Sequence, residues 1–315
     1  MYLPMTGVSK RFFPTYPFCE FRNSPGYGIF EGTGEVYPSD HGPYIYSKWD
    51  MPSLTSFEGI NVMPRRNLIG TNVTECKLRW FSSWLEFGYW GEPSKEKVQY
   101  VFMSDLTRAL QTLQSLQHLE LHFDEVDLGL DIPASPLAVL SNLKSLTLTF
   151  GECTSADAMY ELMTSVSTPH LENLHVMISI NEGGRDCARI SSYLEADTTD
   201  IFLNLKRFSL EACDDSDWYI LSRHLLYQSP SLVNLTIQAP FEQDKGFVVP
   251  EDLQTLRFEK CNKLSESRMM AIYQDLLDTS IKRVEIIKCS KLSREFISKL
   301  EIILEAEGIQ LVWEV

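Results

Sequence analysis

The histidines of this chain are the first residues whose type and spacing suggest chemistry. His118 and His122 lie four residues apart, which on a helix would place two metal ligands on one face. Apolar residues alternate with them, however, and that period of two predicts a strand, along which the two histidines stand about 13 Å apart. His175 is interpreted as an exposed histidine rather than a third ligand. We therefore predict no metal site among these residues.

Two glycine pairs suggest phosphate binding, at Gly26-Tyr27-Gly28 and Gly32-Thr33-Gly34. Neither pair follows a predicted strand or opens a helix, and no Lys-Ser or Lys-Thr completes a P-loop. The chain has no G-x-S-x-G or H-E-x-x-H motif, and its seven cysteines include no Cys-x-x-Cys pair. The sequence therefore predicts a protein that is not an enzyme and needs no cofactor.

A repeated phrase, Leu-x-x-Leu-x-Leu, organises the chain between Leu116 and Leu292. Seven copies begin at residues 116, 143, 171, 205, 232, 253 and 281, at intervals of 27, 28, 34, 27, 21 and 28 residues. These intervals average near the 20 to 29 residues of leucine-rich repeats. The alternation within each copy predicts a strand with one buried face. A single unit of this size cannot bury its own apolar face, so the units must stack on a shared core.

Apolar residues at helical spacing follow most of the predicted strands. Such runs are Met159, Leu162, Met163 and Val166, then Trp218, Leu221, Leu225 and Leu226. A further helix before the first regular copy is predicted to carry Val98, Val101, Phe102, Leu106, Leu110 and Leu113. Each unit is therefore expected to consist of strand, loop and helix.

The last two repeats share one hexapeptide pattern, K-C-[NS]-K-L-S, at residues 260–265 and 288–293. Ser265 and Ser293 stand directly before helical runs and are predicted to be N-caps. Gly308 is predicted to end the last helix, followed by a final strand that caps the array. The cysteines that follow strands are expected to be small, buried packing residues; they are Cys153, Cys213, Cys261 and Cys289.

The strand, Cys-x-x-Leu-Ser and helix pattern resembles the cysteine-containing leucine-rich repeats of F-box/leucine-rich-repeat proteins, in particular the irregular repeats of fungal members. The resemblance covers the chain from about Leu54 onward and implies an α/β horseshoe, with a parallel sheet inside and helices outside. It also implies substrate recognition for a cullin-RING (SCF-type) ubiquitin ligase. No recognisable F-box precedes the repeats, so a stand-alone scaffold or inhibitor is the alternative.

Three segments are expected along the chain. Residues 1–50 hold twelve aromatic residues, six prolines and six glycines, a composition that disfavours helices. This segment is interpreted as loops with one or two strands that cap the first repeats, with a docking surface as the alternative. Residues 51–115 contain two degraded repeats and the leading helix, and residues 116–315 form the regular array.

Charge and hydropathy exclude several classes of partner. The net charge of −15 argues against binding to nucleic acid or an anionic membrane, and no apolar stretch is long enough to span a bilayer. The first eleven residues lack the apolar region of a secretion signal, and the odd number of scattered cysteines favours a reducing compartment. An intracellular protein, cytoplasmic or nuclear, is therefore expected.

The outward side chains of the predicted strands form the candidate binding surface for a protein partner. The positions predicted to contact it are His118, Glu120, His122, Thr147, Thr149, His175, Met177, Arg207, Glu211, Gln238, Arg257, Glu259, Arg283 and Glu285. Most are polar, as exposed strand positions are in any protein. Met177 and Ile287 are the two apolar exceptions and indicate apolar contact points.

Acidic residues follow several predicted strands and are expected to align along one rim of the array. They include Asp124, Glu125, Asp127, Asp214, Asp215 and Asp217. One interpretation is an acidic strip that binds a basic segment of a partner; the other is a solvated edge that maintains solubility.

Overall fold

The computed structural model of the chain describes residues 18–22, 54–60, 72–81, 100–124, 127–129, 138–151, 162, 165–179, 202–212, 226–240, 249–277 and 279–314. Eleven of the described strands form one open sheet in the order β1-β2-β3-β5-β8-β10-β11-β12-β13-β14-β15. Their bounds are β1 Phe18–Arg22, β2 Ser56–Ile60, β3 Glu75–Phe81, β5 His118–Asp124, β8 Ser145–Phe150, β10 Asn173–Ile178, β11 Arg207–Ala212, β12 Asn234–Gln238, β13 Thr255–Glu259, β14 Arg283–Ile287 and β15 Gln310–Glu314.

The large sheet is parallel from β2 to β15, and only β1 runs antiparallel, beside β2. Two short parallel pairs lie outside it. They are β4 (Tyr100–Phe102) with β6 (Asp127–Gly129), and β7 (Ala138–Val139) with β9 (Val166–Ser167). The expected α/β class with a long parallel sheet is confirmed.

The same pair of backbone hydrogen bonds joins the start of each strand to the strand before it. The carbonyl of the residue before one strand accepts two N–H groups from the entry of the next strand. Gln117 O, for example, accepts from Lys144 N at 2.9 Å and Ser145 N at 3.0 Å. Equivalent carbonyls are those of Thr55, Thr74, Lys144, Glu172, Lys206, Val233 and Gln254. This repeated pairing locks the register, so corresponding residues of successive copies lie side by side.

The apolar residues of the repeats form columns on one face of the sheet. The first column comprises Phe57, Cys76, Leu119, Leu146, Leu174, Phe208, Leu235, Leu256 and Val284, all buried. The second runs through Leu78, Leu121, Leu148, Val176, Leu210, Ile237, Phe258 and Ile286, also buried. The Leu-x-x-Leu-x-Leu pattern therefore encodes one continuous core, in which each strand packs against its neighbours.

Three helices have described bounds, α1 (Met103–Leu110), α2 (Glu266–Leu276) and α3 (Arg294–Ala306). The leading helix was predicted to include Val101 and Phe102, which is wrong because both belong to β4. The helix predicted to include Val166 also ends before that residue, where β9 begins. Both errors arise where apolar residues of a very short strand coincide with helical spacing. The rest of the Met159 and Trp218 runs lies mostly outside the described residues.

The shared hexapeptide of the last repeats has a defined geometry. Lys260 and Lys288 take the left-handed conformation, with φ of 51° and 54°. This turns the chain off the strand and directs the following Cys261 or Cys289 into the core. Ser265 Oγ then accepts from Arg268 N, and Ser293 Oγ from Phe296 N. Both predicted N-caps are confirmed, as is the helix end at Gly308, whose φ is +76°.

Candidate binding face

The outward face of the large sheet is the surface opposite the core columns. Because side chains alternate along each strand, three rows of residues lie on this face between the buried positions. The central row runs Glu58, Lys77, Glu120, Thr147, His175, Ser209, Thr236, Arg257 and Glu285 in hydrogen-bonded register. Every residue predicted to contact a partner lies on one of these three rows. Apart from Ile287, their side chains are partly exposed or exposed.

A first charged cluster occupies β2, β3 and β5. Lys77 forms an ion pair with Glu120, and Arg79 Nη2 lies 3.5 Å from Glu58 Oε1. His122 Nε2 lies 3.4 Å from Glu120 Oε2. The sequence prediction did not include Glu58, Lys77 and Arg79, although they alternate with apolar residues in the two degraded repeats. The charges of this cluster are therefore balanced against each other.

The titration of two residues reflects this packing. Burial lowers the pKa of His122, and the charges of Arg79 and Lys77 act in the same direction, against the opposing effect of Glu120. Burial opposes ionisation of Glu120, yet the hydrogen bonds and charges of Lys77 and His122 lower its pKa overall. The two shifts favour an ionised Glu120 carboxylate and a neutral His122 imidazole.

A second charged cluster occupies β13 and β14. Arg257 contacts Glu259 through Nη2 at 2.8 Å and Glu285 through Nη1 at 3.3 Å. Arg283 Nε donates to Glu285 Oε1 at 2.6 Å. Glu285 is thus shared by two guanidinium groups on neighbouring strands. A ligand that paired with these charges would first have to displace contacts within the protein.

The central section of the face, formed by the outward residues of β8, β10, β11 and β12, differs from both clusters. Thr147, His175 and Ser209 are neighbours in its middle row and are half-buried. No hydrogen bond or ion pair joins these three side chains to the residues that the structure describes. Glu211 accepts a hydrogen bond from Gln238 across the strands. The section also holds Ser145, Thr149, Asn173, Met177, Arg207, Asn234 and Thr236.

Two features of the predicted surface differ in the structure. Ile287 was predicted to be an apolar contact point on the outward face, but it is buried, with 7% of its surface exposed. Its register neighbours are Glu259 on β13 and Glu314 on β15, so it lies between two neighbouring strands. Asp127 was predicted to lie in a rim loop, yet it begins strand β6, which pairs with β4 outside the large sheet.

The rest of the predicted acidic rim is described only at one end. Asp124 ends β5 and is exposed. Glu125, Asp214, Asp215 and Asp217 lie outside the described residues, as do Cys153 and Cys213.

The described cysteines are buried packing residues. Cys261 and Cys289 are buried free cysteines, as predicted, and their Sγ atoms contact backbone carbonyls of the preceding strands, Ile237 O at 3.3 Å and Phe258 O at 3.7 Å. The pKa of the Cys261 thiol is raised, mainly by its hydrogen bond with Cys289 and secondly by burial. Within the described ranges, no three His, Cys, Asp or Glu residues converge to hold a metal ion. None of the described helices is both long and apolar enough to cross a membrane.

Comparison with known proteins adds no family to these observations. No protein-family model matches the chain, and no curated protein matches it.

Proposed function

We propose that the chain is a leucine-rich-repeat solenoid that binds a protein partner on the outward face of its sheet. The observation that carries the proposal is a row of polar side chains in the central section, Thr147, His175 and Ser209, which have no hydrogen-bond or ion-pair partner among the described residues. Parallel strands in a common register hold these groups on a rigid surface. Binding there does not require breaking an ion pair between described residues, in contrast to the flanking charged clusters.

We further propose that the specific role is substrate recognition for an SCF-type ubiquitin ligase. This step depends on the resemblance to F-box/leucine-rich-repeat proteins. Its support is the hexapeptide whose Cys261 is buried and whose Ser265 caps a helix, the roles that a Cys-x-x-Leu-Ser repeat requires. The alternative is a scaffold or inhibitor that binds its target without a ligase. In both cases the chain supplies a binding surface and no catalytic group.

A matched pair of triple variants tests the binding face. The first carries Thr147→Arg, His175→Arg and Ser209→Arg in the central section. The control carries Ser141→Arg, His170→Arg and Ser231→Arg, which are exposed turn residues of neighbouring repeats. Both variants make nearly the same change in charge. We expect the face variant to lose its specific partner in quantitative affinity purification of the full chain and the control to retain it. Equal retention by both would place binding elsewhere.

The ligase role is tested by mixing the purified full chain with a purified adaptor and cullin. The face variant should still bind the adaptor, because substrate and adaptor contacts are separate in such receptors. Failure of the wild-type chain to bind adaptor and cullin, together with partner loss in the face variant, would favour the stand-alone scaffold. The two readouts therefore distinguish recognition from ligase recruitment.

A further inference from the structure

The last strand of the large sheet has one edge that no described strand covers. Among the described residues, β15 pairs with β14 alone and stands at the end of the strand order. Unpaired backbone groups along such an edge are a template for another strand. Strand pairing at this edge is independent of binding on the outward face.

The hydrogen bonds to β14 define which groups of β15 face that edge. Gln310 N donates to Lys282 O at 2.9 Å, and Glu314 O accepts from Lys288 N at 2.7 Å. The backbone groups of Gln310, Val312 and Glu314 therefore point toward β14. Because the direction of these groups alternates along a strand, those of Leu311 and Trp313 point to the free edge. Two donors and two acceptors are thus available within five residues.

The side chains of β15 favour an added strand. Leu311, Val312 and Trp313 are partly exposed, and the strand contains neither a proline nor a lysine that would discourage pairing. Leu311 and Trp313 lie on the core side, where they pack against the buried cluster. Val312 lies on the outward face. Glu314 is the only charged residue of the strand.

We propose that the free edge of β15 binds β15 of a second copy of this chain, in antiparallel orientation about a twofold axis at Val312. This register pairs Leu311 with Trp313 of the second copy and lets their backbone groups form four hydrogen bonds. Val312 then faces its own counterpart, and Gln310 faces Glu314, an amide beside a carboxylate. Apolar–aromatic pairs of this kind stabilise antiparallel strands. The sequence Gln-Leu-Val-Trp-Glu is therefore complementary to itself when reversed.

The net charge of each copy opposes this contact. Two chains of −15 repel each other, and salt screens that repulsion. The interface is small, so we expect a weak dimer whose dissociation constant lies in the micromolar range. Its affinity should rise with ionic strength.

Sedimentation velocity of the full chain over a range of concentrations tests the proposal, with a monomer mass of 36.2 kDa. We expect a monomer–dimer equilibrium. Val312→Lys should raise the dissociation constant by more than about tenfold, because two ammonium groups would face each other across the axis. Ile302→Lys on α3, where Ile302 is 69% exposed, is the matched control and should leave the equilibrium unchanged.

A charge-reversal pair adds the decisive outcome. Val312→Glu should also be monomeric, whereas an equimolar mixture of Val312→Lys and Val312→Glu should form a heterodimer, since Lys faces Glu at the axis. A wild-type chain that remains monomeric at high concentration and high salt would overturn the proposal. So would a dimer that persists in Val312→Lys, or one that Ile302→Lys abolishes.

Discussion

The two ends of the large sheet fill the same inward position of the repeat in different ways. In β3, β5 and β8 this position holds Trp80, Phe123 and Phe150. The rings stack, with centroids 5.1 Å apart between Trp80 and Phe123 and 5.8 Å apart between Phe123 and Phe150. Toward the other end, the side chain becomes small, at Ala212 and Ala239, and is then replaced by Cys261 and Cys289.

Backbone geometry accounts for the cysteines of the last two repeats. In the last two repeats, the left-handed Lys260 or Lys288 displaces the inward residue by one position, and a helix begins within six residues. The backbone therefore passes close to the core, and the thiol of Cys261 lies 3.3 Å from Ile237 O and 3.6 Å from Glu259 O. The comparison indicates that the first repeats derive packing energy from large rings, and the last ones from short, capped connections.

The largest expected effect follows from removing the middle ring of the stack. Phe123 is fully buried and contacts rings on both sides, so Phe123→Ala should destabilise the protein by about 3–5 kcal/mol. Cys261→Ala at the corresponding position should cost only about 1 kcal/mol, because a thiol leaves a small void. Urea denaturation followed by circular dichroism measures both. Equal costs would contradict the contrast between the two ends.

A glycine next to the aromatic stack should be the next most sensitive position. Gly151 follows β8, and its N–H donates to Phe123 O at 2.6 Å. A Cβ at Gly151 would lie 2.9 Å from Asp124 Cα and still closer to the Asp124 carboxylate. Gly151→Ala should therefore destabilise the protein by about 1–3 kcal/mol. Because the Asp124 backbone is involved, adding Asp124→Ala should restore only part of the lost stability. Full recovery in the double variant would assign the conflict to the side chain alone.

The regular parts of both ends could be predicted from the sequence, because successive side chains of a strand point to opposite faces of the sheet. A serine directly before a helical run, in turn, most often caps the helix. Ser265, Ser293 and the buried Cys261 were predicted on this basis. Two other features could not be predicted from local pattern. Val101 and Phe102 fit both the spacing of a helix and a strand of three residues. The burial of Ile287 depends on the neighbouring strands on both sides of it.

The contacts within the charged clusters also could not be predicted from local sequence pattern. Parity alone places Glu120 on the outward face, but its partner Lys77 is 43 residues earlier in the chain. Only the alignment of a degraded repeat with a regular one reveals that the two residues are neighbours. That alignment was available from the sequence, since Cys76 and Leu119 occupy the same position of their repeats. The ion pairs within the cluster, and therefore its neutrality, could be predicted only with knowledge of the strand register.

The capped connections of the last repeats should be sensitive to a single hydroxyl. Ser293 Oγ accepts from Phe296 N at 3.1 Å and donates to Glu266 Oε1 at 2.6 Å, so it links the start of α3 to α2. Ser293→Ala should cost about 1 kcal/mol or slightly more. Ser265→Ala removes the same kind of cap without a bond to a preceding helix, and it should cost less. Thermal unfolding of the two variants decides whether the link between the helices contributes; equal losses would show that it does not.

The smallest expected effect is a pH dependence confined to the first end of the sheet. Because the folded pKa of His122 lies below its ordinary value of 6.5, the unfolded chain binds the proton more tightly. The stability contribution of neutral His122 is present above pH 6.5 and declines as pH falls through the interval down to the folded pKa. His122→Gln should flatten this part of the profile of unfolding free energy against pH.

The further loss of stability in acid, below about pH 4.5, should include the contribution of ionised Glu120, whose folded pKa is also lowered. A His122→Gln profile that still declines as steeply as wild type just below pH 6.5 would show that another group carries the effect. A flattened profile would assign it to the first charged cluster, where burial and two cations act on one imidazole.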